Sequence, residues 1–256
     1  MLREVILSRK YVKTQQQIDK ITKSCQILAE VKQIVWDFVR PGVSLKDIDQ
    51  LAFEEIMKHG AKPAFKGLYG FPATACISVN EQLIHGIPSN YIVQDGDLVS
   101  VDLGCIYEGY YSDSAFTKPV GNVSPTDLKL IEVAKGAFNA GLKAIKKGAR
   151  IGDISYAIGQ YIKKNNLFTP SEFSGHGIGA SLHEDPYVPN NGHKNSGPLL
   201  LDGMVICIEP MITQSKGIRI LKDGWTVVST DNKKTAHYEH TVLIKDGKGI
   251  VLTKGI

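Results

Sequence analysis

The spacing of apolar residues predicts a helix over residues 15–39, where hydrophobic side chains recur at helical intervals. An Arg-Pro-Gly run that ends at Gly42 stops this helix. Ser44 then predicts the N-cap of a second helix, because Asp47 completes a capping box three residues later. Gly60 is the expected end of that helix. The pattern therefore indicates a helix pair.

The second part of the chain carries the same kind of signals. Ser124, followed by Pro125 and Asp127, predicts a third helix that ends near Gly148, and a fourth is predicted from about 153 to 164. Between the helix pairs lie β-rich segments with Asp-Gly turns, "QDGDLVSVDLG" and "LDGMVICIEPM". Helices in pairs and strands in groups predict an α+β fold.

Two segments recur in the same order along the chain. "DGDLVSVD" (95–102) and "DGMVICIE" (202–209) align without a gap, and each ends on an acidic residue. Upstream of them, "PGVSLKDI" (41–48) and "KGARIGDI" (147–154) align at nearly the same separation. We interpret this as two similar halves that bring corresponding acids to the centre of the molecule. Chance similarity of turn-and-strand patterns is the alternative.

Two aspartates are predicted to face each other across a hairpin. Alternation in "LVSVDLG" places Asp102 on one face of a strand, and "YYSDSAFT" forms a second strand that bears Asp113. A hairpin centred on Tyr107-Glu108 pairs 106 with 109, 105 with 110 and 102 with 113, so the two Cβ atoms would lie about 5 Å apart. Like charges at that distance need a positive group between them. The alternative is two acids on a solvated face.

Two glutamates complete the acidic set. Glu209 lies in "MVICIEPMI", a strand apolar enough to be covered on both faces, so its carboxylate needs a metal, a basic side chain or a proton. A buried salt bridge is the structural alternative. Glu239, in "HYEHTVLI", follows Glu209 much as Asp113 follows Asp102, on a second strand of the same half. Alone it would be interpreted as an exposed acid at a strand end.

Four carboxylates at one centre carry a charge of about −4, which two divalent cations would neutralise. Carboxylates bridge metal pairs about 3.5–4 Å apart in two-metal hydrolases. Oxygen ligands with at most one imidazole suit Mn, Fe(II), Co or Mg and tolerate Zn.

Composition and charge narrow the class of protein. Apolar residues make up 43% and charged residues 22% of the 256 residues, which is ordinary for a globular protein. The net charge of +4, without a basic block, does not indicate a specific nucleic-acid partner. Four cysteines lack C-x-x-C spacing, which argues for a reducing compartment. No apolar run reaches the length of about 18 residues that a membrane span needs, and the start lacks a signal-peptide core, so we expect a cytoplasmic protein without a membrane partner.

The run "SGHGIGASLHEDP" (174–186) has three possible roles: to supply a metal ligand, to bind phosphate, or to form a turn. It lacks the Lys-Ser/Thr ending of a P-loop, which disfavours phosphate. From the residues alone, neither His176 nor His183 is a stronger candidate for a functional site than the other histidines outside the His85 motif. These are His59, His193, His237 and His240.

Taken together, these motifs resemble the methionine aminopeptidases of the short, bacterial type. The resemblance covers nearly the whole chain and depends on "CISVNEQLIHGIP", "DGDLVSVDLG", "YYSDSAFT", "SGHGIGASLHEDP", "IEPM" and "YEHTVLI". It implies a pita-bread fold: two pseudo-symmetric halves, about 15–120 and 121–250 of one catalytic domain (1–256), with a central curved antiparallel sheet flanked by helix pairs. The implied activity is metal-dependent removal of the N-terminal methionine when the second residue is small.

The resemblance also implies roles for single residues. Two divalent ions (Co, Mn, Fe(II) or Zn) would be bound by Asp102, Asp113, His176, Glu209 and Glu239. Glu209 would also move a proton from the bridging water. His183 would stabilise the tetrahedral intermediate, and His85 would contact the peptide nitrogen on the leaving side. The implied partners are the N-termini of nascent polypeptides at the ribosome, and we expect a monomer.

The implied methionine pocket is apolar. Its residues are Phe65, Leu68, Phe71, Cys76, Leu182 and Trp225, and each of them is also an ordinary core candidate. Bacterial relatives often carry Cys and Tyr at positions 65 and 68, so the detailed pocket shape stays open. Two rival functions remain: a proline-specific pita-bread peptidase, and a metal-free binding module of the same fold.

Overall fold

Five α-helices and two short 3-10 helices form the helical part of the computed structural model, which describes residues 2–255. The α-helices are α1 (Leu2–Ser8), α2 (Gln15–Phe38), α3 (Leu45–Lys58), α4 (Pro125–Ala144) and α5 (Ile151–Lys164). The 3-10 helices are Arg9–Tyr11 and Leu68–Gly70.

Fourteen strands accompany these helices, and all of their pairings are antiparallel. The strands are β1 (Lys62–Pro63), β2 (Ala75–Val79), β3 (Gln82–Ile84), β4 (Leu98–Tyr107), β5 (Tyr110–Pro119), β6 (Ser174–Gly177), β7 (Glu184–Pro189), β8 (Val205–Ile208), β9 (Met211–Ile212), β10 (Ile218–Ile220), β11 (Val227–Ser229), β12 (Ala236–His237), β13 (His240–Lys245) and β14 (Lys248–Val251).

Helix starts follow the capping residues that the sequence predicts. The Ser44 hydroxyl accepts the Asp47 backbone N–H at 3.1 Å, and the Asp47 carboxylate accepts the Ser44 N–H in return. Ser124 caps α4 through the Asp127 N–H, also at 3.1 Å. Each cap satisfies a backbone donor that the first turn leaves without a helical partner. The predicted helices 15–39 and 44–60 are thus confirmed within two residues at either end.

The end of α4 differs from the prediction. The helix stops at Ala144, and Ile145 is already extended at φ −70° and ψ 109°. Ile145 is buried, so the chain leaves the helix early to place this side chain in the core. Gly148, the predicted end, lies in the following turn at φ +84°. A breaker residue marks the region of a helix end, but packing decides the residue.

Each helix pair covers an antiparallel sheet. One core cluster joins α2 and α3 to strands β2, β4 and β5. The other joins α4 and α5 to the five-stranded sheet of order β14-β13-β8-β6-β7. The α+β class predicted from the sequence is confirmed, with the sheets between the helix pairs.

The two halves also match in detail. Helices α3 and α5 both have 14 residues, and in each an aspartate of the first turn accepts the backbone N–H of the residue before the helix, Asp47 from Ser44 and Asp153 from Arg150. The residue before each helix forms an isolated antiparallel bridge, Ser44 with Ile92 and Arg150 with Leu199. These equivalent features occur where the sequence repeat predicts them.

The four cysteines are free and buried. A disulfide framework is therefore absent from the fold, as their spacing predicts, since none of the four lies in the undescribed terminal residues. None of the helices within residues 2–255 combines the length and the apolarity that a membrane span requires.

Candidate metal centre and active site

Asp102 and Asp113 lie on the β4–β5 hairpin, but not directly opposite each other. Asp113 pairs with Gly104, and Asp102 pairs with Ala115, so the predicted pairings of 102 with 113, 105 with 110 and 106 with 109 are wrong. The two-residue turn is Glu108-Gly109, not Tyr107-Glu108. Because partner positions shift by two, both aspartates stay on the same face of the sheet, as diagonal neighbours.

Backbone dihedral angles explain the position of this turn. Glu108 and Gly109 have φ of +47° and +81°. A hairpin turn whose twist matches the strands requires positive φ at both central residues, and a glycine at the second one satisfies this at little cost. Moving the turn one residue earlier would place Tyr107 at such an angle, where an aromatic side chain is strained.

Glu209 and Glu239 are brought together by the pairing of β8 with β13. Ile208, the last residue of β8, pairs with His240, the first residue of β13, so the two glutamates occupy the next pair of positions. The β8 residues are fully buried, as predicted from the apolar run. Glu239 also exchanges backbone hydrogen bonds with Ala115 of β5, at 3.0 and 3.3 Å.

That exchange joins the two halves, and we call it the Glu239–Ala115 seam. Ala115 is the β4–β5 partner of Asp102 and lies two residues after Asp113. The seam therefore places the two acids of the first half beside the two acids of the second. Asp113 and Glu239 are only 4% and 2% exposed.

His176 lies at a register irregularity in β6. Gly175 pairs with Val188, whereas Gly177 pairs with Glu184, so the strand bulges at the histidine. A Cβ at Gly175 would lie 2.3 Å from the Cys207 carbonyl oxygen, so this glycine permits the close approach of β8. The run leads into strand β7 (Glu184–Pro189) and not into a helix, unlike a phosphate-binding loop at a helix N-terminus.

The hydrogen bond of His176 determines which nitrogen faces the acids. Nδ1 lies 2.9 Å from the Gly177 carbonyl oxygen and donates its proton to it. Nε2 is then unprotonated and carries a free electron pair. It lies 3.5 Å from Glu209 Oε1 and 3.8 Å from Asp113 Oδ2. A neutral imidazole with this tautomer is a typical metal ligand, oriented by the bond at its other nitrogen.

Burial dominates the electrostatics of the centre. It raises the pKa of Asp102 to about 7, and together with the neighbouring carboxylates it raises the pKa of Asp113, Glu209 and Glu239 well above their ordinary values. Burial also lowers the pKa of His176 to about 4. Without a cation, the group would hold protons near neutral pH and leave the imidazole neutral.

Several oxygens of the centre have no hydrogen-bond partner. Asp102 Oδ1, Asp113 Oδ1 and Glu239 Oε1 are buried in this condition. A buried acceptor without a partner costs about 1–3 kcal/mol, and three at one place indicate that a positive ligand completes the site. Oxygen donors with one imidazole, at a formal charge of −4, fit two divalent cations.

Two groups of possible ligand atoms lie within 4.8 Å of one another. One comprises Asp113, His176, Cys207 and Glu239, and the other comprises Glu209, His237 and Glu239. Burial raises the pKa of the Cys207 thiol, which keeps it neutral and a poor ligand. His237 was not ranked above other histidines from the sequence.

The acids open into a cavity of about 140 Å³. Every site residue predicted from the sequence lines it. The lining consists of Phe65, Leu68, Tyr69, Phe71, Cys76, His85, Asp102, Asp113, His176, Leu182, His183, Glu209, Trp225 and Glu239. The lining combines four acids and three histidines with apolar and aromatic side chains, which include the edge-to-face pair Phe71–Trp225 at 5.2 Å between ring centroids.

His183 lies at the mouth of this cavity. Its ring stands edge-to-face with His176 at 4.6 Å and stacks on Tyr69 at 6.3 Å, with the planes 9° apart. Partial desolvation lowers the pKa of His183, so the ring is neutral at pH 7 and has one N–H to donate. Burial lowers the pKa of His85 to about 4, and its ring packs edge-on against Phe173.

Tyr69 is a cavity residue that the sequence analysis missed. It is 76% exposed and has a left-handed φ of +52° in the 3-10 turn Leu68–Gly70. Such an angle is rare for an aromatic residue and occurs preferentially at functional sites. The only available signal was its position in the apolar run "PAFKGLYGFPATAC".

A polar group behind the acids contrasts with them, and we call it the Lys32 network. Lys32 is completely buried, and its Nζ donates to Ser114 Oγ at 2.8 Å and to the Thr253 carbonyl at 3.2 Å. Ser114 donates in turn to the Glu239 carbonyl at 2.8 Å. His240 bonds to Thr253 Oγ1 and to the Tyr238 hydroxyl, both at 2.9 Å.

Known proteins are similar to this chain over most of its length. The sequence profile described as Metallopeptidase family M24 matches residues 19–246. The methionine aminopeptidase of Clostridium perfringens is 46% identical over 243 residues, which cover 94% of this chain and 98% of that protein.

Solved structures are similar as well. The crystal structure of methionine aminopeptidase from Thermotoga maritima has a TM-score of 0.93 at 37% identity, covering 95% of this chain and 98% of that one. The prolidase from Pyrococcus furiosus has a TM-score of 0.79 at 25% identity, covering 99% of this chain but 68% of the prolidase.

Proposed function

Because the chain belongs to metallopeptidase family M24 and has the pita-bread fold, we propose that it is a methionine aminopeptidase. It removes the N-terminal methionine of newly made proteins by hydrolysing the first peptide bond when the second residue is small. One observation carries this proposal: five potential ligands line the same cavity as a set of apolar and aromatic side chains. Methionine has an apolar side chain beside a charged amine, and such a cavity fits both.

The metal ligands that we propose are Asp102, Asp113, His176, Glu209 and Glu239. Their unpartnered oxygens and the free Nε2 of His176 support this assignment. The proposed cofactor is a pair of divalent ions, with Mn, Fe(II) and Co best suited to the oxygen-rich set and Zn tolerated. When bound, such ions lower the pKa of a shared water and polarise the scissile carbonyl.

Glu209 is proposed to move the proton of the reaction. Burial and the neighbouring Asp113 and Asp102 raise the pKa of Glu209, so its carboxyl can take up and release a proton near neutral pH. Asn190 holds the Glu209 backbone carbonyl at 3.0 Å and fixes the chain at this point. The acid therefore sits in a rigid segment, which suits a residue that must meet the reacting atoms.

The two histidines of the cavity are proposed to act on the peptide bond. His183, neutral and at the cavity mouth, donates toward the developing oxyanion, and one such donor contributes about 2.7–4 kcal/mol. His85 contacts the nitrogen of the leaving side. The lowered pKa of both rings supports roles as neutral donors.

The methionine pocket is proposed to be the apolar part of the cavity lining. A flexible thioether adapts to aromatic walls and makes favourable sulfur–aromatic contacts. Phe65 fills the space over Gly104, where a Cβ would lie 2.7 Å from the ring, so this wall is fixed by β4. Phe65 and Leu68 thus close the side of the pocket where relatives often carry other residues. The remaining proposed pocket residues are Phe71, Cys76, Leu182 and Trp225.

We further propose that residues 1–256 form one catalytic domain with halves of about 15–120 and 121–250. The Glu239–Ala115 seam and the equivalent helices α3 and α5 support this division. Every predicted site residue lines one cavity, so the site is complete within a single chain, and we also propose a monomer. Its substrates are proposed to be nascent N-termini at the ribosome, in the cytoplasm; co-sedimentation with translating ribosomes tests this.

The proposed activity is tested with three peptides and four metals. Protein loaded with Mn, Fe(II), Co or Zn is offered Met-Ala-Ser, Met-Lys-Ser and the dipeptide Ala-Pro. We expect methionine to be released from Met-Ala-Ser alone, and EDTA to stop the release. Cleavage of Ala-Pro would favour the proline-specific peptidase instead. A lack of turnover with every metal would favour the binding module.

A further inference from the structure

His237 is a buried histidine for which the proposed mechanism has no role. It ends the short strand β12, and one side chain fixes its backbone: the His237 N–H donates to Thr117 Oγ1 at 2.8 Å, and Thr117 donates to the His237 carbonyl at 2.9 Å. Thr117 belongs to β5, which also carries Asp113. The position of the imidazole is therefore tied to the strand that carries a proposed ligand.

The ring of His237 points at the acids. The residue is 2% exposed, and its Nε2 is buried without a hydrogen-bond partner. This atom lies 3.8 Å from Glu209 Oε2 and 3.9 Å from Glu239 Oε2. A buried ring nitrogen without a hydrogen-bond partner costs free energy. The two carboxylate oxygens that lie within 4 Å of it are both acceptors.

Glu209 thus lies between two imidazoles. His176 Nε2 faces Oε1 at 3.5 Å, and His237 Nε2 faces Oε2 at 3.8 Å. The two rings differ in one respect: Nδ1 of His176 carries its proton to the Gly177 carbonyl, which leaves Nε2 as an acceptor. His237 has no such bond among the described residues, so its proton is free to reside on Nε2.

We propose that His237 is a positioning residue of the metal centre. Its Nε2–H attracts Glu209 Oε2 and thereby directs Glu209 Oε1 toward His176 and the cations. The inference rests on the proposed function. Groups that orient a ligating carboxylate typically contribute about 10–100-fold to metal affinity or activity. His237 also limits the rotation of Glu209, because the backbone clamp by Thr117 prevents the imidazole from following the carboxylate.

The test compares two substitutions with opposite hydrogen-bonding ability. His237→Gln keeps an N–H donor at similar reach, whereas His237→Leu keeps the bulk and removes the donor. Titration calorimetry of the metal-free full chain with Mn(II) and with Co(II) measures affinity without turnover. We expect His237→Leu to bind at least tenfold more weakly and to lose kcat for Met-Ala-Ser with little change in KM. His237→Gln should stay within about threefold of the parent protein.

His240→Leu is the matched control. It also removes a buried imidazole, but one whose nitrogens bond to Thr253 and Tyr238 rather than face Glu209. It should lower the melting temperature and leave the metal affinity nearly unchanged.

Three results would overturn the inference. Parent-like affinity in His237→Leu would show that the ring does not act on the centre. An equal loss in both His237 variants would make the imidazole a ligand itself. An equal loss in His240→Leu would make the effect structural. Failure of the parent protein to bind metal would instead count against the proposed function, so the two failures are distinguishable.

Discussion

The metal centre and the Lys32 network occupy the same buried region, yet they differ in how their polar atoms are satisfied. In the Lys32 network, every buried polar side-chain atom has at least one protein partner. In the metal centre, three carboxylate oxygens and one imidazole nitrogen have none. Unpartnered atoms of this kind are rare in native cores and need an explanation. The contrast distinguishes buried polar groups that stabilise the fold, in the Lys32 network, from buried polar groups that can bind a ligand, in the metal centre.

Glu209→Gln changes the metal centre, and of the substitutions considered it should have the largest effect on turnover. The amide has the shape of the carboxylate but cannot take up a proton, so Met-Ala-Ser turnover should fall by about 10²–10⁴-fold or more. Binding of at least one cation should also weaken, which calorimetry measures. Glu172→Gln, on the exposed surface, is the control. Near-normal turnover in Glu209→Gln would remove this residue from the mechanism.

His183→Ala should have the next largest effect. Loss of a donor to the oxyanion lowers kcat by about 10²–10³-fold, which corresponds to roughly 2.7–4 kcal/mol. Because His183 is exposed at the cavity mouth, circular dichroism and the melting temperature should stay unchanged. Tyr69→Leu, which removes the stacked neighbour, should cost less. An unchanged kcat in His183→Ala would exclude the oxyanion role.

The effect of metal on thermal stability should depend on pH. The pKa of Asp102 is raised from 3.8 to about 7, so in the metal-free protein the stability contributed by its neutral form is full below pH 3.8, falls as the pH rises from 3.8 to about 7, and is lost above that. A cation must displace that proton, so metal stabilisation is lost as the pH falls through 7.

The measurement is the gain in melting temperature on adding Mn(II) to EDTA-treated protein. At 100 times Kd and pH 7.5 we expect about 2.7 kcal/mol, or roughly 5–10 °C. The gain should shrink at pH 5.5. A gain that is equal at both pH values would mean that the carboxylates are already ionised in the metal-free fold.

Lys32→Met should have the smallest effect, and it tests the other side of the comparison. Burial lowers the pKa of Lys32 to about 7, so the unfolded chain binds more protons between pH 7 and 10.5 and stability contributed by this group rises with pH there. Methionine removes the buried charge, and urea unfolding at pH 7 should show a gain of about 1 kcal/mol.

The same variant can contradict the distinction. If Lys32→Met destabilises the protein by several kcal/mol or weakens metal binding, the lysine charge balances Glu239. The Lys32 network would then belong to the metal centre rather than to the fold. Lys135→Met, on α4 and close enough to lower the pKa of Lys32, controls for the loss of one positive charge.

Local signals predicted the helices, because a capping residue such as Ser44 or Ser124 acts within one turn. The hairpin register was missed, since alternation in β4 and β5 fits two registers that differ by two residues. Only the positive φ of Glu108-Gly109 distinguishes them. Glycine after a charged residue was the available sign.

The four acids were predicted from the strand pattern and the repeat, and His176 through the family resemblance, whereas residues outside these motifs were not predicted. Lys32 lies on a helix whose apolar residues mark the core, and nothing local indicates that a lysine should be buried among them. His237 stands two residues before Glu239, but its role depends on Thr117 and Glu209, which are distant in sequence. Such contacts exist only after both halves have assembled.

The Glu239–Ala115 seam has a consequence for how the molecule comes apart. Residues 120–124 are a short, mostly exposed connection between β5 and α4. A protease cut there would leave Asp102 and Asp113 on one fragment and His176, Glu209 and Glu239 on the other, with the pair of backbone hydrogen bonds between the fragments. Neither fragment alone should retain ions, whereas a mixture of the two should regain them as the fragments dock. The amount of bound metal would then report how far the two fragments have reassociated without a covalent link between them.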